Sequence, residues 1–261
     1  MMAQKPMIDA IATVIVYHAV GERPREFDRE GLFISQKKFE FQMEFLARQR
    51  TVVPLSQILA PGDDGRRRRV AITFDDGFRS VLTEAVPVLR RYALPAAVFV
   101  PTKWLDIPSG SNASAGAIET LTIDDLCELD RLGYEIGSHS HSHLDCSRVA
   151  RDQVVADLTE SVTQLTAAVG RAPRYLAWPF GRYSAAALEA AAQVGFELAF
   201  ATDHPSRSPY AVPRTPIYRT DGATMFRFKT TGRYVPWRRS RPVATAHSVL
   251  GPLRNLKSGR R

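Results

Sequence analysis

Hydrophobic positions along the chain follow two alternating rhythms. Short runs dense in Val, Ile, Ala, Phe or Tyr occupy 11–17, 70–74, 96–100, 134–137, 175–178 and 198–201. Their length and their β-branched or aromatic content predict buried strands. Between these runs, apolar residues return every three or four positions, the spacing of one helix face. Phe39, Met43 and Leu46 mark a helix behind a candidate Ser35 N-cap, and Leu82, Val86 and Leu89 mark another over 83–92. Thr122 caps a third, which runs to Leu132 and stops at Gly133. Val155, Leu158, Val162 and Leu165 stripe a fourth over 153–169, stopped by Gly170, and a fifth covers 185–194 before Gly195. Residues 51–54 read as a short extended piece, and 21–29, 61–69 and 105–117 as polar loops. Strand then helix, repeated about six times, predicts an α/β fold with a parallel sheet. Polar punctuation falls just after strands, where α/β barrels carry their chemistry.

Composition narrows the class. Of 261 residues, 44% are hydrophobic and 24% charged, which excludes a disordered chain. No apolar run approaches the roughly 18 residues of a membrane span. The N-terminal stretch has a short apolar run after Asp9 and no small-residue cleavage site, so a cytoplasmic protein is expected. Cys127 and Cys146 form no CxxC pair and read as free thiols. The net charge of +8 is unevenly spread: residues 227–261 hold ten Lys or Arg and no Asp or Glu, so 1–226 sum to −2. This is a near-neutral body with a basic tail, which argues against reading the whole fold as a nucleic-acid binder. The expected division is a body over 1–224 and a tail over 225–261.

Three strand ends carry candidate chemistry. Asp75-Asp76-Gly77 sets two carboxylates side by side after an apolar strand, a repulsive arrangement that a cation relieves. One carboxylate could ligate a metal while the other acts as a base; a polar turn is the alternative. Gly137-Ser138-His139-Ser140-His141-Ser142-His143 packs three of the six histidines into five residues. One Asp and two His would leave an open metal position, the pattern of catalytic sites, whereas a solvated loop would leave the imidazoles unused. Trp178-Pro179-Phe180-Gly181, preceded by Arg174, could wall a sugar-sized groove or be a turn with a packed aromatic.

Thr73-Phe74-Asp75-Asp76-Gly77, then His139-x-x-x-His143 after Gly-Ser, then Pro179-Phe180-Gly181, in this order, resembles the polysaccharide deacetylase family, the NodB-like carbohydrate esterases of family 4. The resemblance covers about 10–220. It implies an irregular (β/α)7-type barrel and one divalent metal, usually zinc, with Co2+, Ni2+ or Fe2+ as alternatives. It implies removal of N-acetyl groups from an N-acetylated sugar or polysaccharide. Carried over, Asp75 is the general base, and Asp76, His139 and His143 are the metal ligands. His141 lies between the ligands without ligating. Arg174 and Trp178 to Gly181 correspond to substrate-groove positions, the arginine also helping to hold the base. A backbone amide near Tyr175 or Trp178 is a candidate oxyanion donor. The run Val14-Ile15-Val16-Tyr17-His18 is similar to a branch of poly-N-acetylglucosamine deacetylases that opens with Tyr-His, which makes His18 the expected general acid; His247 is the alternative. Arg214 reads either as a pocket residue or as a structural ion pair. The family's Asp-x-x-Trp element is not visible, so no partner for the acid is assigned.

Other readings keep the metal site but change the bond, to a non-sugar amide or an acetyl ester. A non-enzymatic reading places function in the tail, where Phe226, Phe228, Tyr234 and Trp237 interleave with basic residues. Such a segment could stack bases, sit on an anionic membrane or be simply solvated. A membrane contact, which would suit a lipid-linked glycan substrate, is preferred to specific nucleic-acid binding.

Overall fold

In the computed structural model, residues 12–24, 26, 28–60, 68–106, 118–202 and 208–240 are described. The first β-branched run forms β1 (Thr13–Tyr17), followed past His18 by β2 (Ala19–Val20), which pairs with β3 (Phe33–Ile34). Then come α1 (Gln36–Gln49), β4 (Thr51–Val52), β5 (Arg69–Phe74), α2 (Val86–Arg91) and β6 (Ala97–Val100). α3 (Ile123–Arg131), β7 (Glu135–Ser138), α4 (Arg151–Val169), β8 (Tyr175–Ala177), α5 (Ala185–Val194) and β9 (Leu198–Ala201) continue the alternation. β10 (Val212–Pro216), α6 (Ala223–Lys229) and α7 (Tyr234–Ser240) complete it.

All barrel pairings are parallel. The strand order β1-β10-β9-β8-β7-β6-β5 returns from β5 to β1, so seven strands close on themselves. β4 joins the start of β5 on the edge that β6 uses further along. Closure fixes which residues face inward. Along β1 and β5, Val14 and Ala71 join Phe99, Tyr175, Phe200 and Val212 in the barrel interior. Their neighbours Ile15 and Ile72 pack outward with Val98 against Phe39, Met43 and Leu46 of α1. Leu176 and Ala199 face α4 and α5 instead. This is the period of two that a pleated strand imposes. Gly137 is required by this packing: an added Cβ would lie 2.4 Å from the Phe99 ring.

Several boundaries differ from expectation, each for a local reason. The 83–92 helix opens instead as a wide π turn over Val81–Ala85, because Pro87 offers no N–H to the turn before it. Ser35 sits at the N-cap of α1, but its side chain makes no capping bond. Thr122 does cap α3, with Asp125 bonding back to the Thr122 amide. Gly170 and Gly195 end their helices in the left-handed conformation. β10 was not expected: Val-Pro-Arg-Thr-Pro reads as a turn, yet it is the strand that closes the barrel between β9 and β1. The 224/225 division falls inside α6, whose Phe226 is buried in the main core, so the body extends past it. His247 and residues 241–261 lie outside the described residues, as do residues 1–11 and most of the 61–69 and 105–117 loops. Cys127 and Cys146 are free thiols. No helix among the described residues is long and apolar enough to cross a membrane.

Candidate metal centre at the barrel mouth

Parallel strands bring all their C-terminal ends to one mouth, and the candidate side chains gather there. β5 ends in Asp75-Asp76, β7 in the histidine loop and β1 in His18. One ligand atom from each of Asp76, His139 and His143 lies within 4.8 Å of the others. Both imidazole Nε2 atoms stand 3.3 Å from the same carboxylate oxygen, Asp76 Oδ1. His139 Nδ1 lies 2.8 Å from the Ala177 carbonyl oxygen. A carbonyl only accepts, so Nδ1 carries the proton and Nε2 is left free to ligate. Three potential ligand atoms then converge on one point, an arrangement that could hold a cation.

In the absence of an ion the same place attracts protons: burial would raise the Asp76 carboxyl, but hydrogen bonds from His139 and His143 hold it far below the usual range. Burial would favour neutral His139, yet Asp75 and Asp76 raise its pKa above the ordinary imidazole value. The donor set therefore suits a divalent ion of the zinc type, with two nitrogens and one oxygen.

Asp75 is held differently. Arg214 forks onto both carboxylate oxygens, Nη1 to Oδ1 at 2.7 Å and Nη2 to Oδ2 at 2.6 Å. Both side chains are buried. Burial pushes the Asp75 carboxyl up, but Arg214, His139 and His18 outweigh it and hold it below its ordinary value. Oδ2 is 4.0 Å from His139 Nε2, so it borders the donor set. His18 is near enough to depress both carboxyls, and its buried Nδ1 has no hydrogen-bond partner among the described residues.

The backbone here is strained. Asp76, Ser140, His143 and Phe180 all have positive φ, four of the six non-glycine residues that do among the described residues. Such conformations cost roughly 1–3 kcal/mol each and persist only where surrounding contacts hold them.

The third motif divides. Phe180 is 54% exposed, with its ring 4.7 Å from that of His143. Pro179 and Gly181 are buried beneath it, and Thr202 fills the space a Cβ on Gly181 would need. Trp178 does not reach the groove: it is fully buried in the α4–α5 core, with Nε1 donating to the Tyr210 carbonyl. Its amide donates to the Phe200 carbonyl, so it offers no oxyanion contact. Tyr175 faces the barrel interior, well below the mouth. Arg174 precedes β8, at the opposite end of the barrel, and pairs with Glu197 on the surface. The arginine that holds Asp75 is Arg214, delivered by the unexpected β10.

Two contributors were missed. Trp104 stacks on His143 with ring centroids 4.7 Å apart, the same imidazole that Phe180 meets in a T-shaped contact. It is carried there because the Thr102 and Lys103 amides bond the Ser140 and His141 carbonyls. Its place four residues beyond the end of a strand was the available signal. Asp157 of α4 grips the histidine loop, and nothing local in the sequence marks it. His141 points away from the donor set, with Nδ1 2.8 Å from Thr102 Oγ1.

A closed parallel barrel carries at its mouth an Asp/His/His group that could hold a metal ion, beside a second, arginine-held carboxylate. The family model for polysaccharide deacetylases matches residues 62–199, more than half of the chain, and the protein belongs to that family. The match spans both carboxylates and both ligand histidines but stops short of His18 and Arg214. YxkH of Bacillus subtilis (strain 168), provisionally named a polysaccharide deacetylase, is 25% identical over 194 residues, 73% of this chain and 64% of that protein. The poly-beta-1,6-N-acetyl-D-glucosamine N-deacetylase of Staphylococcus aureus (strain MRSA252) is 23% identical over 69% of this chain and 66% of its own length. The chain thus spans just under two thirds of these relatives. In fold, it superposes on the Streptococcus pyogenes deacetylase PplD in complex with acetate with a TM-score of 0.71 at 19% identity, covering 84% of this chain and 98% of that one. IcaB from Ammonifex degensii gives a TM-score of 0.68 at 22% identity, over 85% and 96%.

Proposed function

We propose that the protein is a metal-dependent hydrolase that removes N-acetyl groups from an N-acetylglucosamine-containing glycan. The observation that carries this reading is the convergence of Asp76, His139 and His143 beside a carboxylate held by Arg214. The names of the relatives favour an N-acetylated sugar polymer as substrate. A divalent ion held by the three ligands would polarise the amide carbonyl and acidify a water.

The chain's own residues do the rest. Arg214 occupies one lone pair on each Asp75 oxygen and leaves others free, so Oδ2 can take a proton beside the donor set. The same arginine keeps Asp75 ionised and fixes its rotamer. His18, on the neighbouring strand end, donates a proton to the departing amine, which leaves poorly as an anion. Trp104 and Phe180 wall the space around His143 and suit the apolar face of a sugar ring.

Zinc-loaded protein incubated with β-1,6-linked N-acetylglucosamine oligomers, chitin oligomers and O-acetylated xylan tests the reading through acetate release and new primary amine. Acetate and amine are expected together from an N-acetylated oligomer. His18→Ala should lower turnover by about 10²–10⁴-fold. Asp75→Asn should abolish turnover while retaining zinc, and His143→Ala should lose the zinc. Release from the ester alone, or full turnover by Asp75→Asn, would overturn the assignment.

A further inference from the structure

The two ligand histidines sit on a loop that would not hold its shape unaided. Ser140 has φ +65° and His143 φ +56°, both left-handed, within five residues. The loop must nonetheless aim two Nε2 atoms at one oxygen, each at 3.3 Å. Thr102 and Lys103 hold the Ser140 and His141 carbonyls from one side, and α4 holds the loop's amides and hydroxyls from the other. The Asp157 carboxylate accepts the His141 amide on Oδ2 at 2.8 Å and the Ser142 amide on Oδ1 at 3.1 Å. It also accepts the Ser142 hydroxyl on Oδ1 at 2.5 Å. One helical turn later, Ser161 Oγ lies 2.8 Å from Ser138 Oγ, which in turn accepts the Ser140 amide at 3.1 Å. Residues four apart share a helix face, so α4 presents both groups to the loop together. Two successive amides closing on one carboxylate form an anion nest with its anion supplied by the protein. None of these atoms is a metal ligand, and Asp157 lies outside the Asp76, His139 and His143 group.

We propose that Asp157 is a positioning residue for the metal centre: by pinning the His141 and Ser142 amides, it sets the bite between His139 and His143 and so the affinity for a divalent ion. The inference rests on the metal-site reading above and deepens it. Loss of an outer contact that orients a ligand typically lowers metal affinity by 10–100-fold. Asp157→Ala should weaken zinc binding by that factor. Asp157→Asn, which keeps one carbonyl acceptor for the two amides, should recover part of the loss. Val154→Ala removes a buried apolar group from the same helix and leaves the Asp157 hydrogen bonds in place. It should lower thermal stability yet leave zinc affinity unchanged.

The experiment is zinc titration of the apoprotein against a chromophoric chelator for wild type and the three variants, alongside melting curves with and without zinc. A merely structural Asp157 would lower the melting temperature of the apoprotein but leave chelator-measured affinity, and the increment zinc adds to melting, as in wild type. That result would overturn the proposal. If Asp157→Ala does not fold, Asp157→Asn decides: weaker zinc binding supports the proposal and wild-type affinity overturns it. A wild type that binds no zinc would fail the site reading itself, a distinct outcome from variants that match a zinc-binding wild type.

Discussion

Asp75 and Arg214 show what one long-range pair does to a site. Taken alone, a buried carboxyl is raised, yet Asp75 is held below its ordinary value because Arg214, His139 and His18 outweigh burial. Its folded pKa is thus below the unfolded value of about 3.9. The stability it contributes is present above that pH and is lost as pH falls through the folded value. Arg214→Met leaves the carboxylate buried without its partner, an expected loss of about 3–5 kcal/mol at pH 7. That corresponds to roughly ten degrees of melting temperature for a domain of this size. The loss should shrink on acidification, because a protonated Asp75 tolerates burial. Melting curves of zinc-free wild type and Arg214→Met between pH 7 and 4 check this, and a gap independent of pH would mean that Arg214 acts by packing alone. Asp75, Asp76, His139 and His143 were legible in the sequence because each pair lies within a few residues, inside one motif. The partner of Asp75 was not. Arg174 and Arg214 look alike as sequence, and only barrel closure sends one to the outer surface and the other inward. Trp178 misled for a related reason: strand alternation turns it into the core and leaves Phe180 at the rim.

At the level of elements, the helices α1 to α5 and the apolar strands were readable from period and punctuation, because each buries one face locally. β10 was not, since Pro213 and Pro216 read as turn residues. Its pairing with β1, Val14 opposite Arg214, is a property of the closed ring, not of the segment. The same closure makes some glycines structural and others incidental. Gly137 faces the interior, where an added Cβ would meet the Phe99 ring at 2.4 and 2.5 Å and the Tyr175 carbonyl at 3.1 Å. Overpacking of this kind typically costs about 1–3 kcal/mol. Gly137→Ala should therefore lower the melting temperature by several degrees. It should also weaken zinc binding, because β7 delivers His139 two residues later. Gly222, the N-cap of α6, is the contrast: its surroundings are open and its φ is −77°, so Gly222→Ala should cost only the modest preference of an N-cap for Gly over Ala. Equal effects at the two positions, measured by thermal melting, would contradict the packing account of β7.

For the whole molecule, the decisive question is where the folded body ends. Charge alone divided the chain near residue 225, but α6 carries two deep anchors across that line. Phe226 is fully buried and meets Phe45 of α1 edge to face. Lys229, also buried, donates to the Pro216 carbonyl and to Asp221, both at 2.7 Å. Of the ten basic charges from Arg227 onward, one, Lys229, is therefore neutralised inside the fold, and a second, Arg227, lies over the Phe45 ring. The aromatic residues that suggested a binding segment are occupied as well: Phe228, Tyr234 and Trp237 pack on one another between α6 and α7. Truncation after Thr224 would remove Phe226, worth about 3–5 kcal/mol. It would also leave Asp221 buried without its cation, worth about 3–5 kcal/mol more. Together these approach the whole stability of a typical domain, about 5–15 kcal/mol. A chain ending at Thr224 should therefore be largely unfolded, whereas one ending at Ser240 keeps both anchors and should melt and bind zinc like the full chain. Circular dichroism melting and zinc titration of the two truncations distinguish the cases. A cooperative, wild-type transition from the shorter chain would restore the charge-based boundary and free α6 and α7 for a role outside the barrel.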